Sequence, residues 1–348
     1  MTTLLSFIFV LGLLIFIHEL GHFLAAKWAG IRVERFSLGF PPRMIGKKIG
    51  DTDYCIGWIP LGGYVKMAGM IDESMDTQIE GKPDEFMSKP IWQRAIVIAA
   101  GPFMNVLLAL VFFAGLTYHY GIPEASTEPV VGSILPGYPA QEAGLQAGDR
   151  VLRIDGQDVG SWADLTSKIH SRADSTVSIE WERNGMKMQA LVKPRLEPRE
   201  KIGLIGIRPT VITHEVGLGE AVSAGMMLSG QLTVEVGKTI WRLLRGEGSK
   251  DDFAGPLQIM KLSGDFARQG FAKLMEFIAI LSMQLGLLNI LPIPVLDGGH
   301  LVFLGLEAVM RRPVSIKTRV VVQQIGMALL LALMVFIIIN DFQKIKIW

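Results

Sequence analysis

A nearly unbroken apolar run from Leu4 to Ala26 carries two histidines and a glutamate in its second half, His18, Glu19 and His22. In a bilayer a segment of this kind must be helical, because lipid offers no partner to a backbone N–H or C=O. Ionisable side chains are costly there and mark a functional site. On a helix, positions 18 and 22 project from one face, so both imidazoles can reach a single zinc ion. The glutamate between them can take a proton from water at that ion. The pattern His18-Glu19-Leu20-Gly21-His22 therefore points to zinc-dependent peptide hydrolysis, with the metal lying inside the membrane.

Three further segments share this apolar character, Ala95 to Thr117, Phe277 to Leu296 and Val320 to Ile339, each near the roughly 20 residues that a spanning helix needs. Half of the 348 residues are hydrophobic and the mean hydropathy is positive, as expected of a polytopic α-helical membrane protein with four transmembrane helices. Gly101-Pro102 and Pro292 with Pro294 are expected to break the second and third spans, which would then line a cavity. Met1 to Ser6 has no Lys or Arg, whereas Lys27, Arg32 and Arg35 follow the first span, the reverse of a cleaved signal peptide. The same charges place the amino terminus outside and the loop from Lys27 to Arg94 in the cytoplasm. The region Tyr118 to Gly270 and the carboxyl terminus are then outside, with the Arg311-Arg312 to Arg319 connection inside. The single Cys55 allows no intrachain disulfide, and a net charge of +1 without a basic stripe gives no sign of a nucleic-acid partner.

Between the first two spans, Tyr54 to Met67 forms two β-rich runs around glycine and reads as a hairpin, apolar enough to dip into the bilayer beside protein. Its edge could hold a substrate in extended form. A polar, mobile loop is expected from Asp72 to Lys89, and Asn105, one turn after Gly101-Pro102, either makes a helix-packing hydrogen bond, the favoured reading, or faces the site. From about Pro129 short alternating runs appear, with helical spacing from Trp162 to Ser171 and two strands around Asn184-Gly185, a strong hairpin signal. With Gly144-Leu145-Gln146-Ala147-Gly148-Asp149, residues 126–196 resemble a PDZ domain of the bacterial protease-associated type. The resemblance implies an α+β domain with a peptide groove. Gly217 to Arg245 alternates at helical intervals, as in amphipathic helices on the outer surface or a packing layer. The expected division is thus a membrane core in two halves, 1–120 and 271–348, around the PDZ domain and a linker with amphipathic helices over 197–270.

A hydrolytic zinc site needs a third protein ligand and an open fourth position. Asp297, His300 and Glu307 are candidates, and Asp297 is favoured because adjacent glycines and upstream prolines leave the chain free to aim its carboxylate. His300 reads better as a supporting or helix-end residue. The His-Glu-x-x-His of the first span together with Asn289-x-x-Pro292-x-Pro294-x-Leu296-Asp297-Gly298-Gly299 in the third resembles the site-2 protease family of intramembrane zinc metalloproteases. Pro60-Leu61-Gly62-Gly63-Tyr64-Val65-Lys66 and the PDZ-like domain narrow the resemblance to the bacterial regulator-of-sigma-E branch. It implies Zn2+ on His18, His22 and Asp297, and Glu19 as catalytic base. It also implies a supporting or substrate-handling role for Asn289, Pro292 and Pro294, and a membrane-reentrant hairpin that clamps substrate through Gly62, Gly63 and Tyr64. The implied substrate is a transmembrane protein similar to an anti-sigma factor, already cut once by another protease, in the bacterial inner membrane. The best-known members carry tandem PDZ domains, whereas this chain has room for one, expected outside the membrane as a steric filter and secondarily as a site for a peptide or carboxyl terminus. A PDZ-bearing scaffold with an inert metal motif and a metal or proton transporter are the rival readings. The first explains poorly why metal-ligand chemistry occurs in two spans, and the second lacks an inverted repeat.

Overall fold

The computed structural model describes residues 1–70, 79–197, 201–249 and 254–344. They form two compact units, one of Met1–Tyr118 with Gly217–Trp348 and the other of His119–Val216. In the first unit, helix α1 (Thr2–Trp28) is followed by strands β1 (Val33–Ile49) and β2 (Thr52–Met67) and by helix α2 (Ile91–Tyr120). The expected break at Gly101-Pro102 does not occur, and α2 runs through it. Proline lacks the N–H that would donate to the carbonyl of Ile98, a loss of one ladder hydrogen bond, and the helix continues past it. The two helices cross closely at two glycines. A side chain at Gly21 would collide with the Ala100 carbonyl, and one at Gly101 would collide with the His22 ring.

The expected hairpin from Tyr54 to Met67 is not closed on itself. Its halves lie on either side of residues 33–38, so that Phe36 faces Tyr54 on one side and Val65 on the other. The remaining part of β1 then turns back, with Ile49 opposite Thr52 and Lys47 opposite Tyr54. Alternation in the sequence reveals strands but not which strand pairs with which, and the interposed partner comes earlier in the chain. Gly39 makes the bend in β1 with φ of +93°, where a side chain would press on the carbonyls of Gly57 and Ile59. One edge of the sheet is therefore the run 63–67. Ile31, Val33, Phe36, Val65 and Met67 pack it against Ala26 of α1 and Val97 and Ile98 of α2. Of the polar loop expected from Asp72 to Lys89, residues 71–78 lie outside the described residues. The rest folds onto the sheet, with Phe86 N–H donating to the Ala68 carbonyl at 2.8 Å.

The second unit comprises β3 (Ile122–Ala125), β4 (Val131–Ile134), α3 (Pro139–Glu142), β5 (Arg150–Ile154), β6 (Gln157–Asp158), α4 (Trp162–His170), β7 (Val177–Arg183) and β8 (Met186–Val192). Four short strands follow, β9 (Arg195–Glu197), β10 (Ile202–Leu204), β11 (Ile207–Pro209) and β12 (Val211–His214). The main sheet has the order β6-β5-β7-β8, and both turn residues between β7 and β8, Asn184 and Gly185, have positive φ as a tight hairpin requires. Leu165, Ile169, Ile179, Trp181 and Val151 form its core. Asp149, with no exposed surface, accepts hydrogen bonds from Arg183 Nε (2.7 Å) and the Gln146 N–H (2.8 Å), which fixes the glycine turn before β5. The unit is longer than the expected 126–196. β11 pairs with β4 and β12 with β3, so 202–214 belong to it rather than to a linker. Strands of three or four residues are too short to carry a readable period.

The chain then returns to the first unit as α5 (Leu218–Leu244), α6 (Pro256–Gln269), α7 (Phe271–Asn289), α8 (Asp297–Met310) and α9 (Ile316–Lys344). Helix α5 buries only Ala221, Gly225 and Ser229, a small-residue stripe that meets α2 at Ala114, so it is a packing layer of this unit. Among the described residues, four helices, α1, α2, α7 and α9, are long and apolar enough to cross a membrane. The third ends at Asn289 rather than Leu296. Prolines 292 and 294 lie in the following turn, and a separate helix, α8, begins at Asp297.

Glu307 of α8, 2% exposed, accepts from Arg94 Nη1 of α2 at 3.0 Å, from Arg319 of α9 and from the Val314 N–H at 3.0 Å. This buried triad ties three helices at one point. Removing one partner of such a group leaves a buried charge uncompensated. Arg94→Ala should therefore cost about 3–5 kcal/mol, measured by equilibrium unfolding in mixed micelles, and a loss below about 1 kcal/mol would show the triad to be dispensable.

Candidate active site

His18, Glu19 and His22 project from the middle of α1, and Asp297 is the first residue of α8. What aims Asp297 is the backbone around it. Val295 adopts φ of +81°, a conformation that a β-branched residue takes only when its surroundings impose it. Gly298 and Gly299 lie against the carbonyls of Ile290, Leu291 and Ile293, where side chains would not fit, and Gly326 of α9 lies equally close on Pro294. The turn from Asn289 is thereby pressed into one shape, and the carboxylate leaves it toward α1.

The closest approach of the two His Nε2 atoms is 3.2 Å, and Asp297 oxygens lie 3.2 Å from His18 Nε2 and 3.4 Å from His22 Nε2. A tetrahedral zinc with bonds of about 2.0–2.1 Å keeps its ligand atoms about 3.3 Å apart. The donor set suits zinc, the two histidine nitrogens have that spacing, and each lies near a different oxygen of Asp297; these three side chains are the metal-capable cluster among the described residues. The His22 Nδ1–H donates to the Val97 carbonyl at 2.8 Å, which leaves the Nε2 lone pair for a metal. His18 Nδ1 lies 3.3 Å from the side-chain amide of Asn105. Of the two readings of Asn105, it is the less favoured one, facing the site, that matches this contact with a candidate ligand. Glu307 is no ligand. It sits ten residues, or about 15 Å, along α8 from Asp297, in the arginine triad.

A cavity of about 370 Å³ opens onto the cluster, lined among others by Glu19, Phe40, Tyr64, Asn289 and His300. His300 is 8% exposed and lies 3.4 Å from the Gln323 amide of α9. The sheet edge passes directly beside the proposed base. A Cβ on Gly63 would come within 2.7 Å of Ile15 and 3.1 Å of the Glu19 Cγ. Gly62 lies under the Phe40 ring, and Phe40 stacks on Tyr64 with ring centres 6.5 Å apart. Arg35 donates to the Tyr64 hydroxyl at 3.1 Å. Asn289, at the end of α7, shares the cavity, whereas Pro292 and Pro294 shape the turn behind Asp297. The Val97 carbonyl carries no sequence signal, since any residue supplies one.

Gly101→Ala should displace the His22 ring and lower metal affinity on the order of 10- to 100-fold, the effect of disturbing a ligand's support. Gly115→Ala, on the same helix but with open space around it, is the control. Equal metal content in the two variants after dialysis would mean that the crossing tolerates a side chain.

A sequence profile of Peptidase family M50 matches residues 6–333. A Mesorhizobium japonicum protein named "Putative zinc metalloprotease" is 36% identical, covering 97% of this chain and 98% of its own. A Clostridium acetobutylicum protein of the same printed name is also 36% identical, over 96% of this chain and 95% of its own. The PDZ domain of an SdrC-like protein from Listeria monocytogenes is similar in structure to 24% of this chain, at 30% identity, 85% coverage of that domain and a TM-score of 0.21. With the profile spanning nearly the whole length and two full-length relatives above 30% identity, the chain belongs to peptidase family M50, the site-2 proteases, which are zinc metalloproteases of the membrane.

Proposed function

We propose that the zinc is held by His18, His22 and Asp297, that Glu19 is the proton carrier, and that the peptide bond cut lies within or near a transmembrane segment of another protein. The observation that carries this reading is the convergence of three side chains from two helices, the two His Nε2 atoms 3.2 Å apart and each within 3.4 Å of an Asp297 oxygen, beside a cavity that Glu19 also lines. Bound zinc supplies Lewis acidity, which polarises a peptide carbonyl and makes a water acidic near neutral pH. The Glu19 carboxylate takes the proton of that water and passes it to the nitrogen of the leaving amine. A substrate helix hides its carbonyls in its own ladder, so it must unwind before cleavage. The outward edge 63–67 can accept the unwound segment as an added strand, and Asn289 can hydrogen-bond a substrate amide in the same cavity. The substrate we favour is a membrane-anchored anti-sigma factor trimmed by an earlier protease.

Glu19→Gln should retain about one zinc per chain and lose turnover, whereas His18→Ala, His22→Ala and Asp297→Ala should lose the metal. An Asp297→Ala protein that still holds zinc and cleaves would require a different third ligand.

Lys27, Arg32 and Arg35 after the first span and Arg311 and Arg312 before the last support an amino terminus, a carboxyl terminus and a second unit that are all extracytoplasmic, in a bacterial inner membrane. In a Cys55→Ser background, an impermeant thiol reagent added outside should label Asp174→Cys and miss Asp51→Cys. The opposite labelling would invert the orientation.

The second unit should act chiefly as a filter against substrates with bulky external parts. Ile122 and His214 face each other as cross-strand partners, so excision of 122–214 closes with a short linker. The excised protein should cut trimmed and untrimmed substrates alike. Loss of cleavage of the trimmed substrate, with zinc retained, would instead make recruitment the unit's main role.

A further inference from the structure

We infer that Asn105 is the positioning residue for His18, and that its side-chain oxygen accepts the proton on His18 Nδ1 and so keeps Nε2 free for zinc. This rests on the reading of His18 as a ligand. The two nitrogens now facing each other, Asn105 Nδ2 and His18 Nδ1, are 3.3 Å apart, and the two ends of an amide are alike in shape. With the nitrogen toward His18, Nδ1 would have to be the acceptor, and the imidazole proton would sit on Nε2, which points at His22 Nε2 and Asp297 from 3.2 Å. A proton there excludes a metal. Turning the amide over gives an oxygen to Nδ1–H and reproduces on His18 what the Val97 carbonyl does for His22. Helix α2 then supplies both acceptors, two turns apart, to two histidines one turn apart on the crossing helix.

Nothing else selects the direction of this amide, since its other end, Oδ1 as drawn, is buried without a partner among the described residues. The residue has no exposed surface, its backbone carbonyl accepts from Ser282 Oγ at 2.8 Å, and a side chain on Gly286 of α7 would lie 3.4 Å from its Cβ. It is held too tightly to swing elsewhere. A buried amide with one end unsatisfied is a poor packing element, and a leucine of similar size would fill the site more favourably if packing were its purpose.

The test is zinc affinity of the full-length protein in detergent, by competition with a chromophoric chelator, beside thermal unfolding of the zinc-free forms. Asn105→Leu should bind zinc about 10- to 100-fold more weakly with zinc-free unfolding close to wild type, and Asn105→Asp, which keeps the acceptor, should bind at least as tightly as wild type. Asn105→Ala is read as the leucine variant if that one does not fold. Wild-type affinity in Asn105→Leu or Asn105→Ala, or an Asn105→Asp as weak as they are, overturns the inference. His18→Ala separates the two readings: wild-type affinity there means His18 is no ligand, whereas lost binding in His18→Ala with normal binding in Asn105→Leu sinks the role of Asn105 alone.

Discussion

The crossing of α1 over α2 at Gly21 and Gly101 is the contact on which the site depends. Only with both side chains absent does the His22 ring come close enough to α2 for its Nδ1–H to reach the Val97 carbonyl at 2.8 Å. The same approach brings Asn105 to His18. A polar group in hydrocarbon must be satisfied by protein, so the second nitrogen of each imidazole has to be occupied before the first can be offered to a metal. The glycine of the His-Glu-x-x-His stretch thus sets how closely α1 approaches α2 beside the His22 ring.

Around that crossing the polar contacts form a chain. Arg94, Val97 and Asn105 lie on one helix and address Glu307, His22 and His18 respectively. Glu307 in turn shares α8 with Asp297 and holds Arg319 of α9, four residues before Gln323, which meets His300 at the cavity. Helices α2 and α8 are therefore each fixed at two levels, one at the cluster and one at the triad. Two arginines around one carboxylate, among residues less than 10% exposed, would be a poor choice for stability alone. They define how α2, α8 and α9 must be aligned, which apolar packing by itself leaves open.

The spans, the pair of histidines and the small sheet of the second unit were legible in the sequence because each has a local signature: length, spacing of four, and an Asn-Gly turn between alternating runs. What was not legible depends on partners distant in the chain. Tyr54 to Met67 was recognised as β-rich, but its pairing across residues 33–38 was not, because period two is the same for any partner. The proline in α2 does not break the helix, which forgoes a single ladder hydrogen bond there. Glu307 carries a carboxylate as Asp297 does, and its distance from the cluster and its two arginines distinguish it. Strands β9 to β12 are each four residues or shorter, too brief to be told from a linker, yet they close the second unit.

The antiparallel pairing of β3 with β12 bears on how the membrane unit can assemble at all, since its two halves are separated by about a hundred residues. Bringing the ends of a flexible loop of that length together costs about (3/2)RT ln n, on the order of 4 kcal/mol, before any helix contact is made. Once the second unit has folded, its first and last strands lie side by side, and the loop behaves as a connection of a few residues. That entropy is then spent within a unit that has its own core, so α5 to α9 meet α1 and α2 as if the chain had never left.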